Sequence, residues 1–132
     1  MEYVIKPTGA NNAEIRKIEK RFDVSLPDEF FAWWAHSNGA DIYFGFKELQ
    51  FFSVTEIVQD TPFNLAHYMP HAIPICMDGN GNICVAKVEQ RHIVAYYLAS
   101  CGSLGWDNAK YIASSLTELI NAPSAPETLL YS

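Results

Sequence analysis

Hydrophobic positions keep a helical period as far as Asn38 and change to a strand-like pattern from Ile42 onward. Ile15, Ile18 and Phe22 fall at i, i+3 and i+7, one apolar stripe on an otherwise charged segment. Asn11 is placed to cap that helix, and Glu14, three residues later, to reach back to the cap. The stretch from Asp23 to Leu26 breaks the period. Pro27 then opens a second helix, because its fixed φ suits the first turn, and Asp28 and Glu29 complement the positive end of the helix dipole. Phe30, Phe31, Trp33 and Trp34 cover more than one face, which predicts a helix enclosed by the core. Adjacent helical residues point about 100° apart, so one tryptophan is expected in the core and the other is free to line a groove. Asn38-Gly39 supplies a left-handed residue to end the helix.

Ile42 to Phe46 and Leu49 to Ser53 are rich in aromatic and β-branched residues and predict short strands. Thr55 is a candidate cap for a short helix through Val58. Pro62 to His71 is bounded by proline and has no clear period, which predicts a long loop. Ile73 to Met77 and Ile83 to Lys87 form the clearest hairpin, joined by Asp78-Gly79-Asn80-Gly81-Asn82, where Gly-Asn and Asn-Gly both suit primed turns. His92 to Leu98 predicts another strand. Asp107 is a candidate cap for a last helix whose buried stripe is Ile112, Leu116, Leu119 and Ile120. Helices, then a mostly antiparallel or mixed sheet, then a closing helix make the fold class α+β.

The chain has 132 residues, the size of one domain, with its core expected over about 11–121 and a loose tail over 122–132, where Pro123, Ser124 and Pro126 cluster. Apolar residues make up 49% of the chain, enough to fill a core without disulfide or metal support. Net charge is −6, and Lys and Arg gather only at Arg16-Lys17 and Lys20-Arg21, beside Glu14 and Glu19. Direct nucleic-acid binding needs clustered positive charge and is disfavoured; the acidity suits a basic protein partner instead. No apolar run is long enough to span a membrane, and Met1 to Pro7 carries no secretory h-region. Three well-separated cysteines without a C-x-x-C fit a reduced, cytoplasmic setting.

Candidate chemistry is sparse. Counted as a calcium loop from Asp78, the turn places Ile83 where a sharply turning glycine is required, so a hairpin turn is the better reading. Cys76 and Cys84 flank the same turn; a two-residue loop would put them on opposite faces, and only an odd loop or a bulge would bring them opposite one another, so buried inert thiols are expected. His67 and His71 have zinc-like spacing, but Pro70 between them disrupts the helix that would align them. Cys101-Gly102-Ser103-Leu104-Gly105 lacks the first glycine of a nucleophile elbow, leaving Cys101 with His92 as the one thiol–imidazole pair to consider. No catalytic, cofactor-binding or metal-binding residue is assigned.

Ile18-Glu19 with Phe22, then Leu26-Pro27-Asp28-Glu29-Phe30, then Asn38-Gly39, resembles the opening of the SUKH superfamily. Later pieces match in order: Ile73-Pro74-Ile75, Asp78-Gly79-Asn80-Gly81-Asn82 with Ile83, Trp106-Asp107, and Ile112-Ala113-Ser114-Ser115-Leu116 before Glu118-Leu119-Ile120. That superfamily groups fungal cell-wall-synthesis regulators of the Smi and Knr type with bacterial immunity proteins. The resemblance implies an α+β domain without a catalytic apparatus that binds a protein, in many bacterial members a toxin, often a nuclease. Two departures stand out: Gly39-Ala40 replaces the usual Gly-Gly, and Phe63 to His71 matches no family pattern. On this reading Asp41, Glu48, Asp60, Asp78 and Asp107 are expected to steer and pair with a basic toxin domain, and Phe63, Tyr68 and Trp106 to anchor it. A regulatory or scaffold module with a cellular protein partner is the alternative, and a small thiol enzyme a third.

Overall fold

In the computed structural model the described residues are 2–45, 47–60 and 63–121. The tail expected at 122–132 lies outside them, as does Phe46, the last residue of one expected strand. Helix α1 (Asn12–Phe22) starts as its sequence dictates: Asn11 accepts from the Glu14 amide at 2.8 Å, and the Glu14 carboxylate accepts from the Asn11 amide at 3.2 Å. Helix α2 (Asp28–His36) follows Pro27 at the N-cap, and it ends on an extended Ser37 rather than on Asn38-Gly39. Gly39 is left-handed (φ +82°) for a different reason, a close approach of backbones. A Cβ there would lie 2.9 Å from the Phe51 carbonyl oxygen and 2.9 Å from the Ser53 amide nitrogen.

Seven strands follow one another across a single sheet: β1 (Glu2–Ile5), β2 (Ala40–Tyr43), β3 (Glu48–Phe51), β4 (Ala72–Met77), β5 (Asn82–Glu89), β6 (His92–Ser100) and β7 (Lys110–Ala113). Every neighbouring pair is antiparallel. The sequence pattern predicts neither edge strand; each is held extended by the one strand beside it. Ile112 accordingly belongs to β7, and the last helix, α5, is only Leu116–Asn121. Asp107 does not cap it; Trp106–Asn108 is an isolated 3-10 turn. Helix α3 (Val54–Gln59) is capped by Ser53, not Thr55, with Glu56 completing the box. The segment expected as a loop contains helix α4 (Leu65–Tyr68), whose first amides, Leu65 and Ala66, both donate to the Asp60 carboxylate at 3.0 Å.

The main core lies between α1, α2, α3, α5 and one face of the sheet, where Ile15, Phe30, Trp34 and Leu116 meet Ile42, Leu49, Ile73 and Leu98. Each such side chain stabilises the fold by roughly 1.5–3 kcal/mol through burial. Trp34 is the fully buried tryptophan, its Nε1 donating to the Phe52 carbonyl at 2.8 Å, while Trp33 is half-buried against Phe51. A smaller core on the opposite, outer face joins Leu65 of α4 and Met69, just past its end, to Ile83, Val85 and Ala99. Among the described residues nothing packs over the β1–β3 part of that face, where Tyr43 is exposed.

Candidate functional site: the outer face of the sheet

Strand register fixes which side chains share the outer face, because side chains alternate along each strand. Asp41 faces Gln50, Gln50 faces Met77, Met77 faces Ile83, and Ile83 faces Ala99, one row across five strands. Beside it, Glu2 faces Tyr43 and Tyr43 faces Glu48. Strands lie about 4.8 Å apart, so Asp41 stands roughly 10 Å from Met77 and three spacings from Ile83, where α4 begins to cover the sheet. The uncovered part is thus a shelf bearing Glu2, Asp41 and Glu48 around the exposed Tyr43. None of these three carboxylates has an ion-pair or hydrogen-bond partner among the described residues.

The cover itself is cleft. Phe63, Tyr68, Cys101, Gly102 and Leu104 line a hollow of about 320 Å³. Tyr68 is 53% exposed at its rim, and Phe63 is half-buried with its ring 6.0 Å from Phe52. Trp106 supports the cleft from behind: its Nε1 donates to the Pro70 carbonyl at 2.9 Å and its ring meets Tyr97 edge-on, with the Lys87 ammonium 5.3 Å above it. That pin ties the 101–109 segment to the end of α4. The Cys101 amide donates to the Gly81 carbonyl at 2.8 Å, fixing the other end to the β4–β5 turn.

The sequence-selected residues therefore divide. Asp41 and Glu48 come together on the shelf, Phe63 and Tyr68 in the cleft, and Trp106 in its support. Asp107 is exposed on the 3-10 turn. Asp60 and Asp78 are buried, at 6% and 5% exposure, and their carboxylates are taken up by the chain itself. Asp60 caps α4. Asp78 accepts from the Asn80 and Asn82 amides at 2.8 and 3.2 Å and from Asn82 Nδ2 at 2.8 Å, holding the five-residue hairpin turn. Glu2 and Tyr43 were missed; the alternation of Asp41 with Tyr43 and of Glu48 with Gln50 is the signal that would have grouped them.

The thiol–imidazole pair does not form. His92 begins β6 and Cys101 follows its last residue, so the extended strand holds them roughly 30 Å apart. Burial, and then the Asp78 carboxylate, push the Cys101 thiol above its ordinary pKa, the reverse of what a nucleophile needs. Cys76 and Cys84, in contrast, are direct cross-strand neighbours. Five residues, 78–82, separate the paired Met77 and Ile83; that odd number puts both cysteines on the inner face, where a two-residue turn would have separated them. His67 lies on α4 and His71 beyond it at positive φ, and no group of three His, Cys, Asp or Glu side chains among the described residues is arranged to hold a metal. Among the same residues, no helix is long and apolar enough to cross a membrane.

Two comparisons bear on this geometry. Residues 9–122 match the SMI1 / KNR4 family (SUKH-1). No curated protein matches the chain.

Proposed function

The chain belongs to the SMI1 / KNR4 family (SUKH-1), and from that premise we propose that it is a non-catalytic protein-binding domain that neutralises a basic toxin domain by occupying it. The observation that carries this reading is the outer sheet face, which bears both carboxylates without partners among the described residues and an open aromatic cleft. Asp41 and Glu48 supply long-range attraction and rim pairing; Phe63 and Tyr68 supply apolar surface that loses water on contact. Asp107, exposed near the cleft support, adds to the field, whereas Asp60 and Asp78 act by building the turn and helix that frame the site. No cofactor or metal enters this function, and neither nucleic acid nor membrane is its target; the protein acts in the cytoplasm.

Co-expression tests the reading. A basic toxin domain encoded next to this chain's gene, co-expressed with it, is expected to form a one-to-one complex of nanomolar affinity with it and to lose its toxicity. A toxin that kills cells undiminished in the presence of excess folded protein would reject the immunity role. Stable capture of a cellular regulator in its place would assign a scaffold role to the same face.

A further inference from the structure

The groups packed where α5 meets the sheet have no part in that outer face. Cys76 and Cys84 face each other across β4 and β5, 0% and 2% exposed. Facing residues of an antiparallel pair have Cα atoms about 4.5–5.5 Å apart, inside the range of about 4.4–6.8 Å that a disulfide spans. Lys47 reaches the same place from the β2–β3 turn: its buried ammonium donates to the Leu119 carbonyl of α5 at 3.1 Å, and both sulfurs act on its charge. The Tyr96 hydroxyl is buried beside the thiols and has no hydrogen-bond partner among the described residues.

Helix α5, which shares the core with this cluster and is joined to it through Lys47, is a short element. Six residues cannot hold a helix in water by themselves. Side chains from distant parts of the chain hold α5 at both ends. Glu29 of α2 accepts from the Leu116 and Thr117 amides at 3.0 Å each and from the Thr117 hydroxyl at 2.8 Å; Lys47 binds a carbonyl of the last turn. Anion at the N-terminus and cation toward the C-terminus both suit the helix dipole. Lifting α5 breaks these polar contacts and uncovers Leu116 and Leu119, yet leaves the sheet pairing of β4 with β5 intact, the pattern of a subglobal opening.

We propose that Cys76 and Cys84 are a latent disulfide pair, shielded while Glu29 and Lys47 hold α5 down and oxidised when α5 lifts. In the closed form burial holds the Cys84 thiol far above its ordinary pKa, so no thiolate is available. In the open form one thiol releases its proton to water, and its thiolate attacks a low-molecular-weight disulfide, expelling one small thiol. The second protein thiolate then displaces the other half of the mixed disulfide. Two protein thiols are oxidised to a disulfide, and one small disulfide is reduced to two thiols.

The test uses the full chain carrying Cys101→Ser, incubated with oxidised glutathione in graded urea and analysed by peptide mapping and mass spectrometry. A Cys76–Cys84 disulfide is expected, forming at a rate that depends only weakly on urea below the global transition. Glu29→Gln is expected to accelerate it roughly ten-fold, the effect of losing a helix cap on an opening equilibrium. Should that variant not fold, Thr117→Ala removes a single bond to Glu29 and is expected to shift the rate in the same direction by less. A rate with the full urea dependence of global unfolding would overturn the gating by α5, as would no change of rate in the folded variant. Reaction that stops at glutathione adducts would overturn the pairing.

Discussion

Glu29 shows how far a single residue can act from where its sequence context places it. Leu-Pro-Asp-Glu-Phe marks a helix start, and the helix is there, yet the carboxylate caps α5, 87 residues along the chain from Glu29 to Leu116. No local pattern predicts that. Burial pushes the Glu29 carboxyl up, but hydrogen bonds from the Thr117 hydroxyl and the Thr117 and Leu116 amides outweigh it and hold the carboxyl below its ordinary value. A carboxyl lowered on folding contributes stability that is fully present above its unfolded pKa, about 4.3, and lost as pH falls through the folded value. Glu29→Gln is therefore expected to destabilise by roughly 1–2 kcal/mol at neutral pH, and by less in acid, where the wild-type carboxyl is itself protonated. Urea unfolding at neutral and strongly acid pH checks this; an equal loss at both would reject the capping account. Gly39 makes a second, simpler prediction. Alanine there meets backbone atoms at 2.9 Å in a left-handed conformation, so Gly39→Ala is expected to lower stability by about 1–3 kcal/mol in thermal unfolding, whereas Gly79→Ala, also left-handed but with open space around it, is expected to lose less.

At the scale of elements, what could be read in the sequence was what local physics decides. The capping box of α1, the aromatic α2 and the β4–β5 hairpin all announce themselves through spacing, cap and turn residues. The elements that stayed hidden depend on distant partners. β1 and β7 are four-residue edges defined by the strands beside them, and α4 is one turn of helix whose cap, Asp60, stands before it at the end of α3. The same dependence makes α4 a test of the cleft. Asp60→Ala leaves the Leu65 and Ala66 amides without their acceptor, at a cost of roughly 1–2 kcal/mol, and the loss falls on the wall that carries Tyr68. Hydrogen exchange is expected to speed up over 65–69 while β5 and β6 stay protected. Partner affinity should drop even though Asp60 is buried in the native fold. Unchanged exchange in α4 would show that the helix does not need this cap.

Across the whole molecule the sheet separates two tasks. The inner face takes four helices and nearly all of the large core, so its residues are committed to stability; the outer face is half covered and keeps carboxylates without partners among the described residues. Charge type and loop position alone could not divide the five selected acids, because an aspartate that caps a helix and one that faces a partner look alike in sequence. Register and hydrogen bonding divide four of them. Asp41 and Glu48 lie on one surface that no described residue covers, and Asp60 and Asp78 are enclosed by amides. If attraction to a basic partner runs through the shelf, neutralising Asp41→Asn and Glu48→Gln together should slow association roughly ten-fold or more at low ionic strength with little change in dissociation, and the deficit should shrink as salt screens the field. Stopped-flow association across a salt series reads this directly. The matched pair Asp60→Asn and Asp78→Asn removes the same charge from the molecule but also loosens α4 and the hairpin turn, so its effect should appear mainly in stability and in dissociation. Equal slowing by both pairs would mean that net charge, not the shelf, guides the encounter.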